Sequence, residues 1–390
     1  MNSDSPRTLS SSPSADCLII GGGVIGLSLA YELATHGMSV TLLEQASVGK
    51  AASWAGAGLL PPATVGQAVE PQEQLRALSH QLHAEWSIRL REETGIDNQL
   101  ERCGGYYIAR KAGEAAALAT TMSQWIEEGI AVERISSDEL HRRLPPLATA
   151  VQARAAYHLP DEAILRNPRH LQALHQACQQ RGVVFQETTA AIEFQLQQDR
   201  VAALVTNHGP FTADRYCIAA GAWSQRLTDS LLAQVGFSHA AKTPEIEPIR
   251  GQMLLLNGGT RFLPTPLNEG PRYLVPRQDG LVLVGSTVEE AGFDCSTTEE
   301  IACELRDFAC ELVPRLQDAV VEQTWAGLRP ASIDGIPYIG AMPGIANAYV
   351  AAGHFRSGLH LSPATAVLLG RMIRGVDVDF DLSPFRVDRS

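Results

Sequence analysis

Three glycines at fixed offsets open the chemistry of this chain. Gly21, Gly23 and Gly26 stand in the run Gly21-Gly22-Gly23-Val24-Ile25-Gly26. With 33 glycines in 390 residues the bare spacing is a weak signal, so its surroundings decide. An apolar strand, Cys17-Leu18-Ile19-Ile20, precedes it and a helical run, Leu27 to His36, follows. The chemistry this allows is the cradling of a pyrophosphate. Gly21 permits the tight turn, Gly23 lets the backbone approach the phosphates, and Gly26 lets helix and strand pack closely. The helix N-terminus then turns N–H groups toward the anion. Glu44, 23 residues past Gly21, suits the ribose hydroxyls and disfavours a 2′-phosphate. Only one such fingerprint is present, which argues for a single dinucleotide. The next unusual stretch runs from Ala52 to Leu60 and is mostly small, so the backbone there can lie against a large flat ligand.

The elements that must position these residues follow from periodicity and punctuation. Gly37 closes the first helix and Val40–Leu43 is the second strand, giving strand, helix and strand within thirty residues and hence a parallel pair. Residues 72–93 read as an amphipathic helix with Leu75, Leu78, Leu82, Trp86 and Leu90 on one stripe, stopped by Gly95. Asn167-Pro168 reads as an N-cap followed by proline at the first helical position, with the helix running to about Arg181. Strands follow at 183–186, 191–196 and 201–206, and then the apolar strand 216–220. The pattern is β-rich from 245 to 288. A helix spans 298–313, with Cys303 and Cys310 on one face, read as a buried core face. The chain returns to strand at 349–352 and helix at 359–373. Strand and helix alternate at both ends and in the middle, so a nucleotide domain threaded by a second domain fits the order.

Composition narrows the class. Hydrophobic residues make up 45% and charged residues 19%, enough to bury a core without staples. The net charge of −12, with no basic run, argues against a nucleic-acid partner. No apolar stretch reaches 18 residues, so no transmembrane helix is expected. The seven cysteines show no C-x-x-C spacing, which points to a reducing, cytoplasmic setting and offers no metal motif. Residues 1–15 are polar, rich in Ser and Pro, and read as a flexible tail without the apolar centre of a signal peptide.

The most specific stretch lies near the C-terminus. Trp325-Ala326-Gly327-Leu328-Arg329-Pro330, Asp334 to Gly340, and Ala352-Gly353-His354-Phe355-Arg356-Ser357-Gly358-Leu359 follow one another. Gly221-Ala222-Trp223-Ser224, Pro248 to Gln252, Val275-Pro276-Arg277 and Val284-Gly285-Ser286-Thr287 come earlier, in the same order as in one family. With the glycine fingerprint, these blocks resemble the D-amino-acid oxidase superfamily of flavoproteins over residues 16 to about 388, most closely its glycine-oxidase branch, linked to thiamine biosynthesis.

The resemblance implies an α/β plus α+β fold. A discontinuous Rossmann-like FAD-binding domain would comprise 16–95, 151–226 and 325–388, and an antiparallel β-sheet substrate domain 96–150 and 227–324. It implies non-covalent FAD, since no cysteine lies between 311 and 390, near where sarcosine-oxidase relatives attach flavin. It assigns FAD contacts to Gly21, Gly23, Val24, Ile25, Gly26, Glu44 and Gln45. Ala52, Ser53, Ala57, Gly58, Leu59, Ala191 and Gly221 join them, as do His354, Phe355, Arg356, Ser357, Gly358, Leu359 and His360. Arg329 and Tyr273 would grip a substrate carboxylate, with Arg356 beside it. A guanidinium pairs with a carboxylate through two parallel hydrogen bonds, and a tyrosine adds a neutral donor.

The implied activity is oxidative deamination of glycine or a close small analogue, sarcosine or D-alanine. The products would be the imine or oxo acid, ammonia and hydrogen peroxide, with oxygen as acceptor, in a homo-oligomer. A D-amino-acid dehydrogenase that passes electrons to a quinone, and a non-catalytic FAD-binding subunit, are the alternatives. Pro271 and Val288 depart from the pattern of relatives and leave the substrate's size open. No residue stands out as an acid or base, and His354 reads as structural.

Overall fold

The computed structural model describes residues 15–64, 68–234 and 243–389. The tail read from the sequence lies outside them except for Ala15, which already stands in the first strand, Ala15–Ile20.

Two sheets organise the described residues. The first has six strands in the order Tyr338–Ala341, Ala348–Ala352, Ala213–Ile218, Ala15–Ile20, Val40–Leu43, Val184–Gln186. All its pairings are parallel except that of the two C-terminal strands. Successive side chains alternate between two buried faces, as a covered parallel sheet requires. Cys17 and Ile19 join a core with the helices Val24–Thr35, Asn167–Gln180 and Gly358–Arg374. Leu18 and Ile20 join another with Phe194 and Leu204, from the strands Ala191–Gln197 and Arg200–Thr206 of a small sheet.

The second sheet has eight strands in the order Val320–Ser332, Ile246–Asn257, Leu281–Gly285, Arg272–Pro276, Leu267–Glu269, Gly105–Ala109, Ala155–Leu159, Glu133–Ile135. Its pairings are antiparallel except that of Leu267–Glu269 with Gly105–Ala109. The helix Glu299–Leu312 covers one face through Leu305, Phe308, Ala309 and Leu312.

Three sequence expectations change here, and one block gains its element. Cys303 and Cys310 do share a helix face, but Cys303 is exposed and Cys310 only half-buried, because the apolar stripe runs through 305, 308, 309 and 312 instead. Asn167 is the first helical residue and Arg166 the cap; the Asn167 amide donates to the Ser53 carbonyl at 2.8 Å. The first helix begins at Val24, directly out of the glycine turn. The Trp325–Pro330 block, unassigned from sequence, lies in the 13-residue strand Val320–Ser332, an edge of the large sheet.

Packing of the helix Gly358–Arg374 positions its first turn. Pro363 sits inside it and has no N–H to offer the Leu359 carbonyl. Ser362 Oγ donates to that carbonyl at 2.9 Å, and His83 Nε2 reaches it at 3.1 Å and the His360 carbonyl at 3.0 Å. Carbonyls only accept, so Nε2 carries the imidazole proton. Ser79 Oγ donates to the His360 carbonyl at 2.6 Å and accepts from the Ala364 N–H at 3.2 Å, bridging a gap in the helix ladder. Both residues come from the helix Pro71–Thr94, which ends at Gly95 in the left-handed conformation.

Candidate active site

The glycine fingerprint is built on close approach. Gly21 has φ +114°, and a Cβ there would meet the Ala219 carbonyl oxygen at 2.3 Å. Gly26 faces the turn itself: a Cβ would stand 1.9 Å from the Gly21 oxygen. The Val24 N–H donates to Ser53 Oγ at 2.9 Å, joining the helix start to the small-residue segment. Glu44 accepts from the Gly22 N–H at 2.8 Å and from the Ala46 N–H at 2.9 Å, so its carboxylate is held against the turn.

These groups border a cavity of about 790 Å³ that runs between the two sheets. Gly21, Gly23, Val24, Ile25, Glu44, Gln45, Ala52, Ser53, Ala57, Gly58, Leu59, Ala191 and Gly221 all line it. His354 through His360 line it too, as do Tyr273 and Arg329. Gly26 alone among the sequence-selected residues does not, because it serves helix-to-strand packing. Gly58, at φ +74°, lies so close to Leu165 that a Cβ would be 1.9 Å from its carbonyl oxygen. Arg277 ties these two segments by donating to the Ala57 carbonyl at 2.7 Å and the Leu165 carbonyl at 3.0 Å. It is buried there, and burial lowers its pKa to about 10.

The other wall is one row across the large sheet. Trp325 pairs with Met253, Met253 with Gly285, Gly285 with Tyr273, Tyr273 with Asn268, and Asn268 with Tyr107. Directly paired residues point to the same face, so this row presents its side chains together. Met253, Tyr273, Asn268 and Tyr107 all line the cavity. The Tyr273 hydroxyl donates to Met253 Sδ at 3.5 Å. Trp325 anchors the row by donating from Nε1 to the Ala55 carbonyl at 3.1 Å.

Arg329 stands two residues beyond Gly327 on the same strand. Its Nη2 donates to Ser286 Oγ at 2.7 Å, and its Nη1 to the carbonyls of Thr287 at 3.2 Å and Arg250 at 3.4 Å. Those bonds use three of its five N–H groups and leave two. Among the described residues no carboxylate forms an ion pair with it, although burial lowers its pKa. Gly251 makes room for it: a Cβ there would stand 2.2 Å from both Nη atoms. Arg356 is exposed at the cavity's edge and donates to the Pro271 carbonyl at 3.4 Å. Val288 is largely exposed and outside the lining.

His354 is buried and its Nε2 meets Thr365 Oγ1 at 3.1 Å. Burial lowers its pKa to about 3, so it is neutral across the physiological range. Sequence reasoning missed Gly251, Met253, Asn268, Tyr107 and Arg76, all in the lining. Gly251 carried a signal in its place beside Arg250 and Gln252; Met253, Asn268 and Tyr107 become visible only once strand register is known, and Arg76 only once the helix Pro71–Thr94 is packed against the site. Among the described residues no group of histidine, cysteine, aspartate or glutamate could hold a metal.

A family model described as FAD dependent oxidoreductase, abbreviated DAO, matches residues 16–372. A glycine oxidase of Pseudomonas aeruginosa is 34% identical over 370 residues, covering 94% of this chain and 97% of that protein. A bifunctional ThiO/ThiG protein of Synechocystis is 32% identical over 92% of this chain and 51% of its own length. The crystal structure of glycine oxidase from Geobacillus kaustophilus superposes with a TM-score of 0.90 at 29% identity, over 97% of this chain and all of that one. Similarity this continuous leaves the glycine turn, the cavity and the two sheets with one reading: this chain belongs to the DAO family of FAD-dependent oxidoreductases, of the glycine-oxidase kind.

Proposed function

We propose that this chain oxidises glycine or a close small analogue, sarcosine or D-alanine, using non-covalently held FAD and oxygen. The overall reaction consumes the amino acid, oxygen and water and yields the oxo acid, ammonia and hydrogen peroxide. The observation that carries the reading is Arg329: a cation on the cavity wall, braced by Ser286, Thr287 and Arg250, with two N–H groups left and no carboxylate partner among the described residues. Such a fork suits the carboxylate of an amino acid.

The residues present fit FAD. Gly21 and Gly58 let main chain come where a Cβ would collide. The helix from Val24 has no side-chain cap from Gly23 and no acid in its first turn, which favours a pyrophosphate at its N-terminus. Glu44 is the candidate partner for the ribose. The segment from His354 to His360, opening the helix Gly358–Arg374, is the candidate neighbour of the flavin ring. When bound, FAD supplies the two-electron oxidation and the onward transfer to oxygen. Non-covalent attachment is supported by the absence of cysteine after Cys310. All seven cysteines are free, which supports a cytoplasmic setting.

Arg329 and Tyr273 hold the carboxylate, and Arg356 adds positive charge at the cavity's edge. Fixing the carboxylate fixes which bond of the α-carbon faces the oxidant, so positioning supplies much of the rate. The amine must be neutral to be oxidised, and efficiency rises with pH through its ionisation. We assign 16–95, 151–226 and 325–388 to the FAD domain and 96–150 with 227–324 to the substrate domain. The strand Val320–Ser332 bridges them, hydrogen-bonding in the large sheet while packing on the helix Ala52–Ala55.

An anaerobic titration of the flavin spectrum tests the reading. Glycine and sarcosine should bleach the flavin at lower concentration than D-alanine, and bulky D-amino acids should act far more weakly. Oxygen should restore the colour with one peroxide per turnover. Absence of bleaching by every small amino acid would refute the proposal.

A further inference from the structure

Glu162 is fully buried, and its carboxylate oxygens make no close hydrogen bond; the Tyr107 hydroxyl and the Asn268 amide are the polar groups near enough to act on them. A buried carboxyl with neither an ion-pair partner nor a close hydrogen bond is costly, so its presence asks for a reason. Its place is cleared for it: a Cβ on Gly105 would lie 2.6 Å from the carboxyl carbon and from Oε2. Gly105 shares a sheet face with Tyr107, two residues on, and that face looks into the cavity. The Tyr107 hydroxyl and the Asn268 amide face the carboxyl. Cys103 is the other titratable group that feels its charge, and Arg76 is the cation that acts on Tyr107. No cation stands close enough to hold Glu162 ionised.

Register ties this group to the carboxylate grip. Tyr107 pairs with Asn268 and Asn268 with Tyr273, so Tyr107 and Tyr273 stand two strands apart in one row, about 10 Å between Cα atoms. Two tyrosines extending from such positions bracket a volume suited to a small amino acid. If Tyr273 and Arg329 take its carboxylate, the Tyr107 side remains for its amine.

We propose that Glu162, acting through the Tyr107 hydroxyl, accepts the proton that the substrate's ammonium group must lose before oxidation. The ammonium N–H bond breaks and its proton passes to the Tyr107 oxygen. The Tyr107 O–H proton passes to one Glu162 oxygen, and no electrons change hands. Glu162 becomes the neutral acid, and the proton returns by the same route after product leaves. Burial raises the Glu162 pKa to about 7, close to the working range of a general base. Tyr107 meets the substrate, and Glu162 is the positioned acceptor behind it. The inference rests on the amine-oxidation reading above.

The test compares pH profiles of kcat/KM for glycine in the FAD-loaded protein and its Glu162→Gln and Tyr107→Phe variants. Each substitution should move the acid limb upward by about one pH unit, costing about tenfold near pH 7.5 and less than about twofold near pH 10. In the loaded, substrate-free protein, an infrared carboxylic-acid band should titrate near pH 7. It should persist in Tyr107→Phe and vanish in Glu162→Gln. An unmoved profile in Tyr107→Phe overturns the relay even if Glu162→Gln fails to fold. An equal loss at every pH in Glu162→Gln, or no titrating band in the parent, overturns it as well. If no amino acid bleaches the parent's flavin, the oxidase reading itself fails; bleaching with unmoved profiles removes the relay alone.

Discussion

Arg329 depends on a neighbour without a side chain. Gly251 stands where a Cβ would press on both guanidinium nitrogens, and the far end of an arginine is what gives way. Gly251→Ala should therefore leave flavin binding and thermal stability nearly unchanged while raising KM for glycine, as measured by steady-state oxygen uptake. Arg329→Ala should raise KM more steeply. Loss of a buried charged partner costs about 2–5 kcal/mol, or roughly 30-fold or more in kcat/KM. Arg329→Lys should recover part of that, since an ammonium cannot make the two-pronged contact. His354 belongs to a different class. Its imidazole is buried against Thr365 and stays neutral, so His354→Ala should keep the alkaline rise in kcat/KM between about pH 6 and 10. Disappearance of that rise with flavin still bound would make His354 a base.

The helix Gly358–Arg374 shows how one element's flaw is repaired by another. Pro363 removes a backbone donor at the turn that borders the cavity, and Ser79 and His83 from the Pro71–Thr94 helix serve the carbonyls left over. A buried carbonyl left with no partner costs about 1–3 kcal/mol, and since each of these carbonyls keeps a second donor after either single change, each loss should fall below that. Ser79→Ala and His83→Leu should each lower the melting temperature. They should also weaken FAD binding, because the residues at 359 and 360 lie on the cavity wall. A melting loss with an unchanged FAD dissociation constant would separate the repair from the site. The glycine turn makes the converse point. Gly21→Ala would collide with backbone at Ala219 rather than with a movable side chain, so the purified variant should lack the yellow chromophore.

Over the whole molecule, buried histidines should dominate the acid response. Burial lowers His83 to about 4 and His170 and His354 to about 3, and it carries His360 well below its ordinary value. The unfolded chain takes up these protons first, near pH 6.5. Their contribution to stability is therefore complete above pH 6.5 and is lost as pH falls through about 4. Glu162 runs the other way: its pKa is raised to about 7, so its contribution is complete below about 4.5 and is lost as pH rises through 7. Four histidines outweigh one carboxyl, and thermal melts should show stability declining steadily from pH 6.5 to 4. A flat profile over that range would contradict it. Acid precipitation should also release the flavin into the supernatant; colour left in the pellet would mean a covalent link.

What the sequence determined by itself is what short stretches of chain can encode. The glycine fingerprint, its flanking strand and helix, and the glycine that closes the Pro71–Thr94 helix are local, because backbone conformation and the 3.6-residue period need only neighbouring residues. The alternation of element types announced a parallel sheet with a second sheet inserted. The blocks around Arg329 and His354 marked the cavity's walls through resemblance, not through spacing. Facing was not legible. The sharing of a face by Cys303 and Cys310 follows from seven residues of helix, but whether that face meets core or solvent depends on what packs against it. Asn167 looked like a cap because its partner, the Ser53 carbonyl, lies 114 residues away. The row from Met253 through Tyr273 and Asn268 to Tyr107, the space Gly251 leaves for Arg329, and the buried Glu162 behind Gly105 were decided by tertiary structure alone. The row and the place of Gly251 beside Arg329 arise from strand register, where a shift of one residue would turn the side chains to the opposite face, and Glu162 is brought behind Gly105 by the loop between the strands Ala155–Leu159 and Ala163–Ile164.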